Sequence, residues 1–336
     1  MAGIPQPKSS DAGAPAESGN GGLFYTLLLA VVLTAVPLAA LLGLRLIQRR
    51  AEPLVDLSPS ASVMTEPSSD PANSLRFAVA TMWGAESTFT LYRQMATHIA
   101  AAVGRRETFV VRPSYAKLRE MMEAGEVDVA LICTGPYVRT LPSGKIKLLV
   151  VPVFEDGLEY RSEILVRRDS GVADVDGLRG RRIAYSDRES FTGCYVPTSL
   201  LHDRGTTPED FFARVVYTGS HERSVRAVVA GLVDAAAVHS IVWHSMQHEE
   251  PSLSGQLQEV WRSEPFGPPP VIVSSAIDPD LETALLATFL RLHEDAEMRG
   301  AMKEIGIVRF GPASAADYGS AMRLVEHLDT SAGERP

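Results

Sequence analysis

The chain has 336 residues, a formal net charge of −9, 45% hydrophobic residues and 22% charged residues. This length is enough for one large domain or for two medium domains with proper cores. The acidic balance argues against a nucleic-acid partner, because a phosphate-binding surface needs clustered lysines and arginines. Two cysteines are too few for a disulfide framework or for a zinc site built from cysteines.

The N-terminal part of the chain differs in composition from the rest. Residues 1–22 are rich in Gly, Pro, Ala and Ser without an apolar period, which predicts a disordered tail. Residues 23–46 are predicted to form a transmembrane anchor, because Leu23 to Leu44 is uncharged and can span a hydrocarbon core of about 30 Å. A cleaved signal peptide is the alternative, weakened by the long, barely basic leader. Residues 47–74 are predicted to form a Pro/Ser-rich linker.

The charges around the apolar run bear on its orientation. Arg45, Arg49 and Arg50 follow the run, whereas Lys8 and the amino terminus precede it. The positive-inside rule, taken alone, would place the C-terminal part of the chain in the cytoplasm. The orientation matters because it decides whether the two cysteines meet an oxidising compartment.

From Leu75 onward, short apolar runs alternate with amphipathic helical stretches, which is typical of βαβ units and a parallel sheet. The predicted strands are LRFAVATMW, TFVVRPS, VDVALICTG, RRIAYSD, RVVYTGS and VDAAAVHS. The predicted helices are TLYRQMATHIAAAVG, YAKLREMMEAG, CYVPTSLLHDRG and HERSVRAVVAG. Similar helix–Gly–strand junctions at Gly125 and Gly231, each followed two residues later by Val-Asp, indicate two similar lobes.

The fold class expected from this order is α/β with two lobes. Residues 75–160 are assigned to lobe I, residues 161–268 to lobe II, and residues 269–330 to a return into lobe I with C-terminal helices. The stretches LEYRSEILVRRDSG and PFGPPPVIVSSAI are long and apolar enough to cross between the lobes. The tail from DPDLETALLATFLRLHEDAEMRGAMKEIG to about Leu328 is predicted to be helical and to pack on the first lobe.

The candidate ligand residues follow predicted strands. In open α/β sheets, ligands bind beyond the carboxyl ends of the strands, where helix N-termini offer unpaired N–H groups. In lobe I this rule selects Tyr115, Cys133 and Thr134, and in lobe II it selects Ser190, Thr192, Gly193, Ser220 and His221. Ordinary helix capping is the plain alternative for the hydroxyl residues. Their joint occurrence at neighbouring strand ends favours an anion site.

Other motifs carry less weight. His239, His244 and His248 recur near helical spacing, but the last two lack the glutamate of the metalloprotease motif, so no metal is expected. The sequence contains no Gly-x-Gly-x-x-Gly or Gly-Lys-Ser/Thr loop, and no nucleotide or other cofactor is expected.

Three segments together resemble a known protein family. They are YAKLREMMEAGEVDVALICTGPYV, SEILVRRDSGVADVDGLRGRRIAYSDRESFTGCYVPTSLL and VVYTGSHERSVRAVVAGLVDAAAVHS. They resemble the substrate-binding proteins of phosphonate, phosphite and phosphate ABC transporters, over nearly all of residues 75–317. The resemblance implies a two-lobed periplasmic binding protein fold of type II, with a parallel-rich mixed sheet in each lobe and two crossing hinge strands. It also implies closure around an oxyanion and an extracytoplasmic domain tethered to the membrane.

The family's site residues are carried over by position. Its Ser-Thr-Ser-Gly anion loop corresponds to Ser190, Phe191, Thr192 and Gly193, and its histidine corresponds to His221. Its cleft tyrosines correspond to Tyr115 and Tyr160. This sequence departs from the family at Phe191, which replaces a hydroxyl donor, and at three further positions that lie near the same cleft: Cys133, Cys194 and His239.

The two cysteines leave three interpretations open. Cys133 and Cys194 could be buried apolar residues, partners in a disulfide, or soft ligands for a thiophilic species. In the last case a helix N-terminus would lower the thiol pKa. The preferred hypothesis is capture of a phosphorus oxyanion for an ABC permease. The alternative is an arsenite-binding sensor that uses Cys133 and Cys194. In these two cysteines the sequence resembles an arsenite-sensing branch of the family, whose members signal to a membrane histidine kinase.

Two further alternatives come from other functional classes. Cys194 and His221 could form a nucleophile and a base, but no carboxylate is obviously placed to orient the imidazole, so an enzyme is not expected. The other alternative is a purely structural tethered module, which would bind no oxyanion.

Overall fold

The computed structural model describes residues 63–64, 73–80, 85–112, 114–155 and 159–333. The predicted tail and transmembrane anchor, and most of the predicted linker, lie outside these ranges. Within the described residues, no helix has both the length and the apolar character needed to cross a membrane.

The described residues form two mixed sheets flanked by helices. The strands are β1 Val63–Met64, β2 Ser74–Ala80, β3 Arg106–Arg112, β4 Val129–Leu131, β5 Ile146–Phe154, β6 Ser162–Arg167, β7 Arg182–Tyr185, β8 Arg214–Tyr217, β9 Ala235–His239, β10 Leu257–Arg262, β11 Val271–Ser274 and β12 Ile307–Pro312. The α-helices are α1 Ala85–Ala102, α2 Tyr115–Glu123, α3 Thr134–Thr140, α4 Val196–His202, α5 Pro208–Phe211, α6 His221–Val229, α7 Ser240–Glu249, α8 Pro251–Ser254, α9 Pro279–Arg291, α10 Ala296–Glu304 and α11 Gly319–Gly333. A π-helical turn, Phe191–Tyr195, precedes α4.

Each lobe is built on one of these sheets. Lobe I has the strand order β1-β3-β2-β4-β11-β5-β12, and lobe II has the order β10-β6-β9-β7-β8. Strand β2 is parallel to β3 and β4, and β7 is parallel to β8 and β9. The other described pairings are antiparallel. The sheets are mixed, as expected, but they are not rich in parallel pairings, because β6 and β11, the strands next to the crossings, run against their neighbours.

Two chain segments cross between the lobes. The first leaves lobe I after β5, and the second leaves lobe II after β10. They lie side by side, since the Phe266 N–H donates to the Tyr160 carbonyl over 2.9 Å and the Ser263 N–H donates to the Ser162 carbonyl over 2.9 Å. This paired crossing is the hinge.

The sequence predicted a helical C-terminal tail, but the structure contains a strand within it. Strand β12 interrupts the helices and pairs antiparallel with β5 at the edge of the lobe I sheet. Its residues include Ile307, Val308 and Phe310, and β-branched and aromatic side chains favour the pleated backbone of a strand.

The core positions the strand ends that carry the site. Helix α1 buries Tyr92, Met95 and Ile99, which recur at helical spacing on one face. In lobe II, a separate apolar cluster that includes Val225 and Trp243 packs the helices onto the sheet. These packed helices hold the segments that follow the strands.

Candidate ligand-binding site

The lobe II half of the site is a polar cluster that is hydrogen-bonded within itself. Ser190 caps the π-helical turn, and its hydroxyl accepts a hydrogen bond of 3.1 Å from the Gly193 N–H. The His221 Nε2 atom lies 3.4 Å from this hydroxyl and 3.5 Å from the Ser186 hydroxyl. A Cβ built on Gly193 would lie 2.1 Å from Ser186 Oγ and 2.8 Å from His221 Cε1. Only glycine fits this position.

The histidines of this cluster are neutral donors. His221 Nδ1 accepts a hydrogen bond of 3.1 Å from the His239 N–H, so the ring proton of the neutral imidazole lies on Nε2 and faces Ser190. Burial lowers the pKa of His221 to about 3. His239 Nδ1 accepts from the Ile241 N–H over 3.1 Å, and burial and His221 hold the pKa of His239 well below its usual range.

Of the three buried hydroxyls without a hydrogen-bond partner among the described residues, two belong to segments at the cleft, one in each lobe. Tyr115 opens helix α2 in lobe I and is 1% exposed, and Thr192 lies in the lobe II π-helical turn and is fully buried. Tyr160 lies beside Thr192, but the Thr192 hydroxyl reaches no hydrogen bond of ordinary geometry. Because buried polar atoms in native proteins are almost always paired, these two hydroxyls indicate a place for a bound group.

The hinge residue Tyr160 connects the two halves. Its ring centroid lies 4.5 Å from that of His239 and 6.4 Å from that of Phe191. Its hydroxyl lies 3.8 Å from Cys133 Sγ. The Phe191 ring also packs edge-on against Phe266 at 4.8 Å, so this departure from the family pattern fills the hinge side of the cleft with an apolar wall.

The two cysteines lie in different surroundings. Cys133 contacts Tyr160 at the hinge, whereas the side chain of Cys194 lies beside Thr198 and Tyr217 in lobe II. Both thiols are free, so the disulfide considered from the sequence is not formed. Burial raises the pKa of both, that of Cys194 to about 12. The lowered thiol pKa expected at a helix N-terminus is therefore wrong, because desolvation outweighs the helix.

Two other predicted site residues make hydrogen bonds within the protein. Ser220 caps helix α6 by accepting a hydrogen bond of 3.2 Å from the Arg223 N–H. The Thr134 hydroxyl donates to the Gly267 carbonyl over 3.0 Å. Cys194 makes no hydrogen bond with His221 in the described part of the chain, and the nucleophile–base pair considered from the sequence is not assembled.

The lobes are in contact across the cleft. The Tyr115 N–H donates to Asp187 Oδ2 over 3.3 Å, and Arg119 pairs with Glu189 at 3.1 Å. A Cβ built on Gly135 of lobe I would lie 2.2 Å from the Glu189 carbonyl oxygen of lobe II. The structure is thus a closed form, in which Gly135 allows the backbones to approach.

Four further residues at the cleft were not predicted from the sequence: Ser186, Asp187, Glu189 and Gly135. Ser186 and Asp187 directly follow strand β7, so the rule that selected Ser190 could have selected them as well. Glu189 and Gly135 carry no local signal, because their roles depend on a contact with the other lobe.

The electrostatics of the site favour hydrogen bonding over ion pairing. Its donors are hydroxyls and imidazole N–H groups, and the N-termini of helices α2 and α6 add partial positive charge. Burial raises the pKa of Asp187 and that of Tyr115, so the tyrosine keeps its proton. No group of three or more potential metal ligands occurs in the described residues. The arrangement can hold a small oxyanion.

Comparison with known proteins agrees with this geometry. Residues 77–318 match the family described as "ABC transporter, phosphonate, periplasmic substrate-binding protein". The phosphate-import protein PhnD of Mycolicibacterium smegmatis is 27% identical over 214 residues, 60% of this chain and 65% of that protein. The matched part is therefore slightly less than two thirds of the relative's length.

Two solved structures share the fold. PhnD1 of Prochlorococcus marinus in complex with methylphosphonate has a TM-score of 0.70 at 14% identity, covering 76% of this chain and 98% of that chain. A binding protein component of an ABC phosphonate transporter of Pseudomonas aeruginosa has a TM-score of 0.67 at 16% identity, covering 76% and 96%. The family match spans well over half of the 336 residues, and the chain belongs to the periplasmic substrate-binding proteins of phosphonate ABC transporters.

Proposed function

We propose that this protein captures a small phosphorus oxyanion of the phosphonate, phosphite or phosphate type and delivers it to an ABC permease. The observation that carries the proposal is the pair of buried, unpartnered hydroxyls of Tyr115 and Thr192, contributed by opposite lobes. An oxyanion between the lobes would accept hydrogen bonds from both hydroxyls. The names of the relatives, a phosphate importer and a methylphosphonate complex, support the same ligand class.

The ligand would bind through neutral donors. Ser190 and the Nε2–H of His221 lie within one cluster, and hydrogen bonds from such groups to an anion are stronger than those between neutral partners. Lobe closure would exclude water from these bonds, which strengthens them. The role is capture and release, and no residue is assigned to catalysis.

The protein would work outside the cytoplasmic membrane. We propose that residues 23–46 anchor it and that the binding domain faces the periplasm. Of the predicted linker 47–74, the part before strand β1, residues 47–62, would connect the two, since Val63–Met64 and Ser74 belong to the lobe I sheet. Arg45, Arg49 and Arg50 oppose this orientation. An alkaline phosphatase fusion to the C-terminus tests it: activity is expected in the periplasm, and an inactive fusion of normal abundance would contradict it.

The arsenite alternative has weaker support. It needs two thiols that act together as soft ligands, yet Cys133 faces Tyr160 while Cys194 faces Thr198 and Tyr217. Burial raises the pKa of both thiols, which disfavours the thiolate that binds metals and metalloids. The histidine kinase partner depends on the same alternative.

A thermal-shift series on the full-length chain in mild detergent tests the function. The ligands are phosphate, phosphite, methylphosphonate, arsenate and arsenite, under reducing conditions. A true ligand at 100 times its Kd adds about 2.7 kcal/mol to the free energy of unfolding. A shift by at least one phosphorus oxyanion is expected, and a shift by arsenite alone would support the sensor instead.

Two isosteric substitutions locate the ligand. Tyr115→Phe and Thr192→Val are each expected to weaken binding about 10-fold to 100-fold, because each removes one hydrogen bond to a charged group. Tyr185→Phe is the matched control, since the Tyr185 hydroxyl is also buried without a partner but its ring packs near Tyr217. Unchanged affinity in both cleft variants, or an equal loss in the control, would contradict the site.

A further inference from the structure

A second cavity lies in lobe II, outside the interlobe site. It has a volume of about 410 Å³ and lies between helix α7 and the face of strands β6 and β10. Glu163 lines it near the start of β6, Arg168 lines it just beyond the end of β6, and Trp243 and Leu257 add apolar surface. A cavity of this size is in the range that holds a small organic molecule.

Glu163 is the unusual residue of this cavity. It is 4% exposed, and only one of its carboxyl oxygens is engaged, by Arg262 at 3.1 Å. The other oxygen, Oε2, is buried without a hydrogen-bond partner in the part of the chain that the structure describes. Burial raises the pKa of Glu163 to about 7. A half-paired buried carboxylate is costly unless a further donor reaches it.

The three arginines that line the cavity differ in whether they are paired. Arg161 pairs with Glu159, and Arg262 also pairs with Glu259. These two arginines are thus largely neutralised by carboxylates of their own. The side chain of Arg168, in contrast, makes no ion pair or hydrogen bond with any described residue, while its backbone N–H is bonded to Gln256.

One end of the cavity therefore offers an unpaired acceptor and the other an unpaired cation. Glu163 and Arg168 are five positions apart in the chain, which corresponds to about 16 Å between Cα atoms in an extended strand. Both side chains line the cavity, so a molecule held in it can contact both. Trp243 and Leu257 offer surface for an alkyl chain.

We propose that this cavity binds a small zwitterion of the amino-acid class, with its ammonium group on Glu163 and its carboxylate on Arg168. The ammonium group donates to Glu163 Oε2, and the alkyl chain packs on Trp243. Because Arg161 and Glu163 line the cavity and belong to the segment that also carries Tyr160, the cavity adjoins the hinge.

Titration calorimetry on the full-length chain tests the proposal with three probes of one length. They are 6-aminohexanoate, hexanoate and hexylammonium, of which only the first has both charged ends. Wild-type protein is expected to bind 6-aminohexanoate at least about 10-fold more tightly than either single-ended probe, a difference of about 1.4 kcal/mol. Equal affinity for the three probes, or no binding of the zwitterion, would overturn the proposal.

Two variants test which residue binds each charged end of the zwitterion. Glu163→Gln should reduce binding of the zwitterion to the level of hexanoate, and Arg168→Gln should reduce it to the level of hexylammonium. Arg168 is exposed, so its substitution keeps the test valid if Glu163→Gln alters the fold. Arg214→Gln, on an exposed position of strand β8 at the other edge of the same sheet, is the matched control. An undiminished affinity in both cavity variants would overturn the assignment.

Discussion

The two halves of the cleft differ in how their polar groups are satisfied. In lobe II, the hydroxyls of Ser186 and Ser190 lie next to His221, and the backbone of His239 fixes the tautomer of that ring. In lobe I, the side-chain donor at the cleft is the Tyr115 hydroxyl, which is buried without a partner in the described part of the chain, as is the Thr192 hydroxyl beside the lobe II cluster.

This difference suggests that the two lobes have different roles in binding. Lobe II holds its donors in place without a ligand, which is the preorganisation that lowers the cost of binding. Lobe I adds the Tyr115 hydroxyl, which, like the Thr192 hydroxyl of lobe II, is satisfied only when something binds, so ligand contact with lobe I stabilises the closed form over the open one. Lobe II would therefore set whether an oxyanion binds, and lobe I would set how tightly the closed form holds it.

The largest effect is expected from a methyl group placed inside the lobe II cluster. In Gly193→Ala the new Cβ would lie 2.1 Å from Ser186 Oγ and 2.8 Å from Ser190 Oγ. The cluster must move apart, and we expect oxyanion affinity to fall at least about 100-fold, with a loss of about 1–3 kcal/mol in unfolding free energy. Calorimetry and denaturant unfolding measure the two quantities.

Gly300→Ala is the control for this substitution. Gly300 lies in helix α10, and a Cβ built there meets nothing within 4 Å. Its affinity should be unchanged, and its stability unchanged or slightly higher, since alanine favours helices over glycine. Wild-type affinity in Gly193→Ala would show that lobe II is not the preformed half.

A methyl group on the lobe I side should act on closure. In Gly135→Ala the Cβ would lie 2.2 Å from the Glu189 carbonyl oxygen, a contact that exists only while the lobes touch. We expect affinity to fall about 30-fold, because the apparent Kd rises as the closed population falls. Small-angle scattering of the ligand-free protein should show a larger radius of gyration than in the wild type.

The same substitution separates closure from folding. Gly135 lies in helix α3, where alanine is intrinsically favourable, so the melting temperature without ligand should stay close to that of the wild type. A radius of gyration equal to that of the wild type, together with unchanged affinity, would contradict a role of lobe I in closure.

Acid should affect the lobe II half through its buried histidine. The pKa of His221 is lowered by burial to about 3 from 6.5, so below about pH 6.5 the unfolded chain binds a proton that the folded chain does not. Stability should therefore fall as pH falls from about 6.5, and by about pH 4.5 this residue should account for a loss of about 2.7 kcal/mol in unfolding free energy. Denaturant unfolding at a series of pH values measures the slope.

The contribution of His221 is isolated by difference. Glu163, with its pKa raised to about 7, gives the opposite slope between about pH 4.5 and 7, since the folded chain keeps its proton there. His221→Gln removes only the first effect, so its stability should fall less with acid than that of the wild type. Parallel pH profiles for the two proteins would contradict a buried neutral imidazole.

Much of the fold could be predicted from local patterns. The periodicity of "TLYRQMATHIAAAVG" and "YAKLREMMEAG" predicted helices α1 and α2, which the structure contains. Strand direction could not be predicted in the same way, because the direction of β11 depends on where the chain returns after the second crossing. Strand β12 was missed because a short strand follows directly on two helices.

The site shows the same limit. Ser190 and His221 were predicted because caps and first-turn residues have local signatures, and the structure places them 3.4 Å apart. The contacts of Gly135 and Asp187 are made between lobes, and no local pattern encodes which surfaces meet on closure. The extent of burial was equally hidden, and burial raises the pKa of the Cys133 thiol, whereas a helix N-terminus alone would lower it.

The smallest effects are expected from the two thiols, and they compare the hinge with lobe II. Cys133→Ser keeps a polar atom beside Tyr160, whereas Cys194→Ser keeps one beside Thr198 and Tyr217. Since neither sulfur is required as a donor to a phosphorus oxyanion, each variant should keep its affinity within about threefold, less than 0.7 kcal/mol. Titration with the oxyanion that gives the largest thermal shift measures both.

The relative size of the affinity changes in Cys133→Ser and Cys194→Ser distinguishes the hinge from lobe II. Cys133 contacts Tyr160, a residue that links the lobes, so its substitution should change the affinity more than that of Cys194. A loss of affinity of more than tenfold in both variants would indicate that both thiols contact the ligand and would favour a thiophilic ligand. An equal, negligible change in both would indicate that the hinge side of the cleft, like the surroundings of Cys194, acts only as packing.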